Sequence, residues 1–573
     1  MLYSNPASNM PTFSDLLKHH YERMPDKVGV SLLHSGQPDR PVTYRELIHG
    51  ASGYVKTLEK NGISPGDVVL LILQHGIDLL YAYYGTVLHG AIPSIMPFLT
   101  EKLLPERYRA DLAALVSVTQ PTAIITYRDF EVEVQASLKP GEDSVKAVII
   151  SSQAEGPCLP DFTSFEGLRR KPDDVVLLQH SSGTTGLQKG VALSHQAVIN
   201  QLVDYSKAIR LHDSDVFISW LPLYHDMGLI ACWLMPILLG YPLVIMSPFE
   251  WIRAPYRLLQ AVSRYKGTLS WLPNFAYNFC AQKIRDRDLE GVDLSSWRAI
   301  SNCSEPMRWD SHQTFFERFR TLGLRYEALT TCYAMAENVF AVTQGGIDEP
   351  VVFEDIDRES LQVKRTACPP VAEKPVIRML AAGKSIPNTS VNILDGKGHP
   401  LPDRHVGEVA LKSNCMLSGY YHRPDATEKA IINGWYLTGD FGYLVNGELY
   451  ITGRKKDLII VGGKNIYPQD LELLAYAVPG VHAGRASAFG IFNETTGTED
   501  VVLVAEVDTN NPAEQQKISD GIRVAVSRGS AVALRYVHIV GKHWLVKTSS
   551  GKTARSANRE RFLKEMQEKG QAC

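Results

Sequence analysis

Amphipathic helical segments alternate with short, wholly apolar runs through the first 330 residues, and this alternation restricts the fold more than any other feature. A strand that is apolar at every position has no wet face, so it must be covered on both sides, and intervening helices provide the cover. Thr12-Phe13-Ser14-Asp15 and Thr43-Tyr44-Arg45-Glu46 have the spacing of capping boxes that open helices. The first predicted helix places Phe13, Leu16, Leu17, Tyr21 and Met24 on one face. The second does so with Leu47, Ala51, Tyr54, Val55 and Leu58, ends near Gly62 and yields to a strand over 68–73. The expected class is α/β. With 573 residues, 45% of them hydrophobic, the chain has material for several cores and more than one domain.

Near residue 390 the texture changes to short strands separated by turns, at 391–394, 409–411 and 447–452. GRKKDLIIVGGKNIYPQDLE (453–472) is then a charged, turn-rich stretch ahead of a fresh strand and helix. A boundary at 454–457 follows, giving a large domain over 1–454 and a small α+β domain over 455–573. No internal repeat or low-complexity tract is evident.

Several classes lose support. The formal charge of −3 carries no basic excess, so nothing points to nucleic acid. The eight cysteines are scattered without a C-x-x-C pair, as expected of reduced thiols rather than a disulfide framework or zinc site. MLYSNPASNMPTF has neither a charged n-region nor an apolar h-region, so no signal peptide is expected, and the terminal GQAC is not a peroxisomal signal. The stretch 228–246, GLIACWLMPILLGYPLVIM, has the length of a membrane span. Pro236, Gly240 and Pro242 interrupt it, and an interior Pro costs a helix about 3 kcal/mol, so the expectation is a buried helix, a turn and a buried strand. A cytoplasmic protein with no transmembrane segment is the expected outcome.

One polar stretch stands out, HSSGTTGLQKGVALSH (180–195). It joins the apolar run 175–178 to another at 191–193, and Ser194 reads as a helix N-cap. Such a loop offers backbone N–H groups and hydroxyls to phosphate oxygens, with Lys189 adding a point charge. It could equally be an ordinary turn-rich loop. It is not a Walker A loop, because Gly183 and Gly186 are too close together and Gly190 follows Lys189.

Four separated motifs, in order, resemble those of the adenylate-forming (AMP-binding, acyl-activating) superfamily: SSGTTGLQKG (181–190), YAMAEN (333–338), YLTGD with GELYITGRKKD (436–457), and VKTSSGKTAR (546–555). The resemblance covers nearly the whole chain. It implies a large N-terminal domain of stacked mixed β-sheets with helices and a β-barrel-like subdomain, followed by a small mobile α+β domain. It also implies ATP and Mg2+ as cofactors. In such enzymes a carboxylate attacks the α-phosphorus of ATP, giving an acyl-adenylate and pyrophosphate, a reaction governed by positioning and charge stabilisation.

The resemblance assigns roles residue by residue. Ser181, Ser182, Gly183, Thr184, Thr185, Gly186 and Lys189 would wrap the phosphates, with Gln188 where many relatives have Pro. Glu337 would coordinate magnesium, a hard ion suited to carboxylate oxygen. Asp440 would accept both ribose hydroxyls, and Arg454 would contact ribose and phosphate. Lys552 would bridge the acyl carboxylate and the α-phosphate, and Lys456 occupies the hinge position about which the small domain rotates. Ser304, Glu305, Pro306, Tyr333, Ala334 and Met335 fall near adenine and acyl-adenylate; Cys303 and Ala334 replace glycines of the usual wording. His225, after Leu223-Tyr224, could orient the carboxylate or be structural.

Within the superfamily, WLPLYHDMGLI (220–230), LPNFAYNFC (272–280), NCSEPM (302–307) and GKNIYPQDLE (463–472) are most similar to the fatty acyl-AMP ligases. The polar stretch FEDIDRESLQVKR (353–365) lies where that group carries an insertion thought to restrain the small domain and disfavour CoA, although it could be an ordinary surface loop. Asn274, Phe275 and Tyr277 are candidate acyl-binding residues. Each buried methylene contributes about 0.8 kcal/mol, which favours a medium or long fatty acid over acetate. The implied partners are that acid and an acyl carrier protein whose phosphopantetheine thiol takes the acyl group. Free CoA as acceptor, or a non-catalytic acyl- or nucleotide-binding relative, are the alternatives.

Overall fold

A computed structural model of the chain describes residues 11–98, 105–181, 189–372, 375–461, 464–494, 496, 498–530, 532–548 and 551–568. The first capping box forms in full: Asp15 N donates to Thr12 Oγ1 at 3.3 Å, Thr12 N donates to Asp15 Oδ2 at 2.8 Å, and helix Phe13–Arg23 follows. The second forms by half. Thr43 Oγ1 accepts from Glu46 N at 3.2 Å at the start of helix Tyr44–Lys60. The Glu46 carboxylate turns instead to Arg40 and Tyr81, because a charged guanidinium outcompetes a backbone N–H. Helix Tyr44–Lys60 packs closely on helix Ile77–His89 at Gly85, where an added Cβ would sit 2.5 Å from Tyr54 Cβ.

Among the described residues the largest sheet has nine strands, ordered Lys384–Ser385, Ala341–Gly345, Leu329–Ala334, Ala299–Cys303, Leu269–Pro273, Phe217–Ser219, Leu243–Met246, Val28–Leu33 and Arg40–Thr43. From Leu329–Ala334 to Val28–Leu33 neighbours run parallel, and antiparallel strands close both edges. A second, all-parallel sheet is ordered Ile92–Ile95, Val68–Ile72, Ala123–Thr126 and Ala147–Ile150. The expected two-sided burial is met: Val68 through Ile72 are all buried, with Val69 and Leu71 in one core and Val68, Leu70 and Ile72 in another. A third, antiparallel sheet contains Thr389–Leu394, Gly407–Ser413, Trp435–Val445 and Glu448–Arg454, matching the short strands expected after residue 390.

The stretch 228–246 departs from expectation in one respect. Its first part, Met227–Leu234, is a π-helix rather than an α-helix; helix Met235–Leu239, a left-handed Gly240 and strand Leu243–Met246 then follow. All of Met227–Leu234 is buried. Among the described residues no helix is long and apolar enough to cross a membrane.

The polar stretch near 353–365 is ordered as strands Phe353–Asp357 and Val376–Leu380 in an antiparallel pair, with helix Arg358–Val363 between them. Ile356 and Leu361 pack with Phe441, Tyr443 and Tyr450. The Gln362 carbonyl on the same helix accepts from Asn465 Nδ2 at 3.1 Å, so the segment touches both the third sheet and the C-terminal part of the chain.

From Ile459 onward the apolar residues build cores of their own on the two faces of a three-stranded sheet, Ala486–Asn493, Thr498–Glu506 and Leu534–Val540. Along its central strand Val501, Leu503 and Ala505 face one core, while Val502 and Val504 face the other. Arg555, at the start of helix Arg555–Glu568, holds this part together. It meets Glu472 at 2.8 and 2.7 Å and Asp457 at 2.9 Å.

Candidate active site

Ligands in open α/β sheets bind beyond the carboxyl ends of the parallel strands. Here strands Phe217–Ser219, Leu269–Pro273, Ala299–Cys303 and Leu329–Ala334 lie side by side and point the same way. Their ends therefore deliver Trp220 to Asp226, Asn274, Ser304 to Pro306, and Met335 to Glu337 to one rim. Residues far apart in sequence meet here because the sheet order brings their strands together.

The root of the phosphate-loop candidate is a hairpin, with Ser181 and Lys189 as Cα partners of the antiparallel strands Val175–Ser181 and Lys189–Ser194. Ser182, Gly183, Thr184, Thr185 and Gly186 lie outside the described residues. Ser194 caps helix His195–Ala208 as expected. Lys189 Nζ sits 4.6 Å from the centre of the Tyr420 ring, a cation–π contact. The Tyr420 hydroxyl donates to Glu337 Oε1 at 2.9 Å and lies 2.9 Å from the Tyr436 hydroxyl. Burial, with the charge of Asp226 adding to it, pushes the Glu337 carboxyl up despite the Tyr420 and Tyr436 bonds. A cation beside Glu337 would relieve that cost, so the donor set suits a hard ion shared with phosphate oxygens.

The turn carrying Glu337 is strained. Val339 has φ 62° and ψ −55°, an unusual conformation for a β-branched residue, and Phe340 N bonds back to Asn338 O at 2.6 Å. Such strain costs about 1–3 kcal/mol and persists only where neighbours over-determine it. Here Asn338 Nδ2 donates to Ala341 O at 2.7 Å, Gln201 Oε1 accepts from Phe340 N at 3.2 Å, and Ser413 donates to Asn338.

Asp440 and Arg454 are Cα partners on adjacent strands, with Arg454 Nε 3.4 Å from Asp440 Oδ1. Tyr333 donates its hydroxyl to Asp440 Oδ2 at 2.6 Å. Ser304 has φ 69°, in the left-handed region, and opens the loop after Cys303. Glu305 Oε2 accepts from Phe275 N at 3.0 Å; burial raises its carboxyl, offset in part by Lys552, Lys547 and His225. Pro306 is exposed, and Ala334 and Met335 are half-buried at the strand end.

Lys552 reaches this rim from the C-terminal part. Its loop is a tight turn in which Thr548 N donates to Lys552 O at 2.8 Å and Lys552 N to Thr548 Oγ1 at 3.2 Å. Burial, then the Arg454 charge, lower the Lys552 ammonium, and Glu305 and Asp226 act against that shift. Lys456 is exposed on the one-turn helix Lys455–Asp457, between strand Glu448–Arg454 and the C-terminal cores.

His225 stands next to Asp226, with Nδ1 2.8 Å from Asp226 Oδ1. Of the acyl candidates, Tyr277 is fully buried with its hydroxyl on Ile300 O, and Asn274 is spent on Asn302, Arg308 N and Ser311. Phe275 is 40% exposed near the Trp220–Trp251 stack. None of the three lines the apolar pocket between the N-terminal sheet edge and the π-helix, where Leu32, Leu80, Leu223, Trp233 and Ile237 lie. Asp226, Tyr420 and Tyr436 were not singled out from the sequence. Asp226 could have been found by its place after His225, and Tyr436 by its place at the start of YLTGD; nothing local marks Tyr420.

Comparison with known proteins agrees with this layout. The model of the family described as AMP-binding enzyme matches residues 17–421. A medium-chain-fatty-acid–[acyl-carrier-protein] ligase, JamA of Moorena producens, is 30% identical, with 96% of this chain and 95% of that protein covered. A long-chain-fatty-acid–AMP ligase, FadD32 of Mycobacterium marinum, is 28% identical over 87% of this chain and 85% of its own. A solved structure from work on fatty acyl-adenylate ligases of E. coli and L. pneumophila superposes with a TM-score of 0.89 at 27% identity, covering 98% of this chain and 99% of that one. The family match and these relatives show it: the chain belongs to the AMP-binding enzymes and is an adenylate-forming ligase.

Proposed function

We propose that the protein activates a medium- or long-chain fatty acid with ATP and passes the acyl group to the phosphopantetheine thiol of an acyl carrier protein. The observation that carries this reading is that Lys552 lies within charge range of Asp226 and Glu305, with His225 bonded to Asp226, at the rim. The apolar pocket lined by Leu223 and Trp233, on either side of His225 in sequence, supports an alkyl tail. JamA, by name a carrier-protein ligase, supports the acceptor.

In this reading the acid's carboxylate oxygen attacks the α-phosphorus of ATP, and the bond to pyrophosphate breaks. Lys552 and His225 hold the two anions together, and Lys189 with the adjoining loop holds the phosphates. Asp440 takes the ribose and Arg454 the ribose and phosphate. Glu337 would bind Mg2+, which when bound neutralises phosphate charge. Residues 455–573 then rotate about Lys456, withdrawing Lys552 so that the carrier thiol can attack the acyl carbonyl and release AMP. The 353–380 segment, through Asn465, restrains that rotation and works against free CoA.

The test is mass spectrometry of products from purified protein, ATP, Mg2+ and a ladder of fatty acids, with CoA or holo-acyl carrier protein in parallel. Acyl-AMP and acyl-carrier product without acyl-CoA is the expected result; efficient acyl-CoA formation would contradict the acceptor.

A further inference from the structure

One buried carboxylate in this site is assigned no role above. Asp226 is 8% exposed and caps the π-helix, its Oδ1 accepting from Met227 N at 2.8 Å. The same oxygen lies 2.8 Å from His225 Nδ1. Burial works against its ionised form, yet the bond and charge of His225, together with Lys552, hold the carboxyl below its ordinary range. An ionised carboxylate only accepts, so the His225 proton facing it is on Nδ1 and the ring is oriented by that bond. His225 also lies within charge range of Glu305, and Lys552 is felt by both carboxylates. The π-helix that Asp226 caps carries Trp233 into the apolar pocket.

We propose that Asp226 is the positioning residue for substrate activation: one oxygen fixes the His225 ring against the start of the π-helix, so that the Nε2–H of its imidazolium donates to the acid's carboxylate beside Lys552. Head-group recognition and the wall of the tail pocket are thereby held in register by one side chain. This rests on the fatty-acid reading above.

The test is a double-mutant cycle on acid-dependent ATP–pyrophosphate exchange in the full-length protein, with saturated acids from hexanoic to stearic. The variants are D226N, H225A and the pair combined. Asn remains a good cap for Met227 N, so the helix start is kept, and thermal melting verifies this. Should D226N not fold, D226S, another capping side chain, takes its place. D226N is expected to lower kcat/KM for the acid about 10- to 100-fold while KM for ATP holds, as misplacement of a positioning group does. H225A is expected to lose as much, and the double variant no more than H225A alone. Additive losses, or a D226N enzyme at wild-type rate, would overturn the assignment. A wild-type protein silent with every acid would instead overturn the fatty-acid reading beneath it.

Discussion

Arg308 and Asp470 tie the strand-end rim to the C-terminal part by a single ion pair, Nη2 to Oδ1 at 2.9 Å, with both side chains mostly buried. Arg308 immediately precedes helix Trp309–Phe319, and Asp470 lies in the first turn of helix Pro468–Tyr476. The pair exists in the arrangement that also brings Lys552 to Glu305 and Asp226. In the proposed cycle it would therefore favour adenylation over the rotated arrangement that thiol transfer would require. Asp470→Asn should slow acyl-adenylate formation about fivefold, from about 1 kcal/mol for such a pair. Carrier acylation from pre-made acyl-adenylate should be unchanged or faster. Stopped-flow measurement of the two half-reactions separates these; equal slowing of both would refute the latch.

Lys552→Ala should remove acyl-adenylate formation by about 100-fold or more, the scale for losing a group that stabilises developing charge. ATP should still bind, because Asp440, Tyr333 and Arg454 remain. Pyrophosphate exchange and calorimetric titration with ATP test the two halves. Normal exchange would show that the lysine does not touch the reacting atoms.

Tyr420→Phe deletes the hydroxyl that Glu337 accepts at 2.9 Å and leaves the ring under Lys189. The orienting hydrogen bond is lost while the cation–π contact stays. The expected change is a rise of about tenfold in the Mg2+ concentration needed for half-maximal exchange, typical of losing a partner that orients a metal ligand. An unchanged Mg2+ profile would argue that Glu337 is not a metal ligand.

Stability should fall on acidification before the carboxylates titrate. His195 and His312 are buried, and burial holds their pKa values at about 3. His195 Nδ1 accepts from Phe13 N at 3.2 Å, and His312 Nε2 lies 3.0 Å from Asn302 Nδ2, so a proton on either acceptor would break its bond. Both groups are depressed below the ordinary 6.5 of an unfolded chain, so their contribution is fully present above pH 6.5 and is lost as pH falls toward 3. Each adds a slope of about 1.4 kcal/mol per pH unit within that window. Urea unfolding across the window should show it, and His195→Gln should flatten the slope by one proton. A slope unchanged in that variant would mean that His195 is protonated in the native state.

Much of this is legible in the sequence, for identifiable reasons. Thr12 and Asp15 announce a helix because their bond is local; Thr43 and Glu46 announce only half of one, since Arg40 and Tyr81 are tertiary competitors. The π-helix was not foreseeable, because GLIACWL is apolar all round and gives no period to read. Lys189, Glu337, Asp440, Arg454 and Lys552 were legible as wording, but how they are placed relative to one another depends on separate sheets and the C-terminal loop, which no local pattern gives. Tyr420 was invisible because its role comes from pairing beside Val191 across more than two hundred residues. Tyr277 reads as an acyl candidate in the sequence and is fully buried in the structure, because an aromatic residue in a motif reads the same whether it lines a pocket or fills a core.

Fatty-acid activation and the choice of acceptor are separated by incubating the purified protein with ATP, Mg2+ and a fatty-acid ladder, with holo-acyl carrier protein in one arm and CoA in the other, and identifying products by mass spectrometry. Acyl-AMP is expected in both arms, with an acylated carrier in the first and no acyl-CoA in the second. Absence of acyl-AMP with every acid would contradict fatty-acid activation.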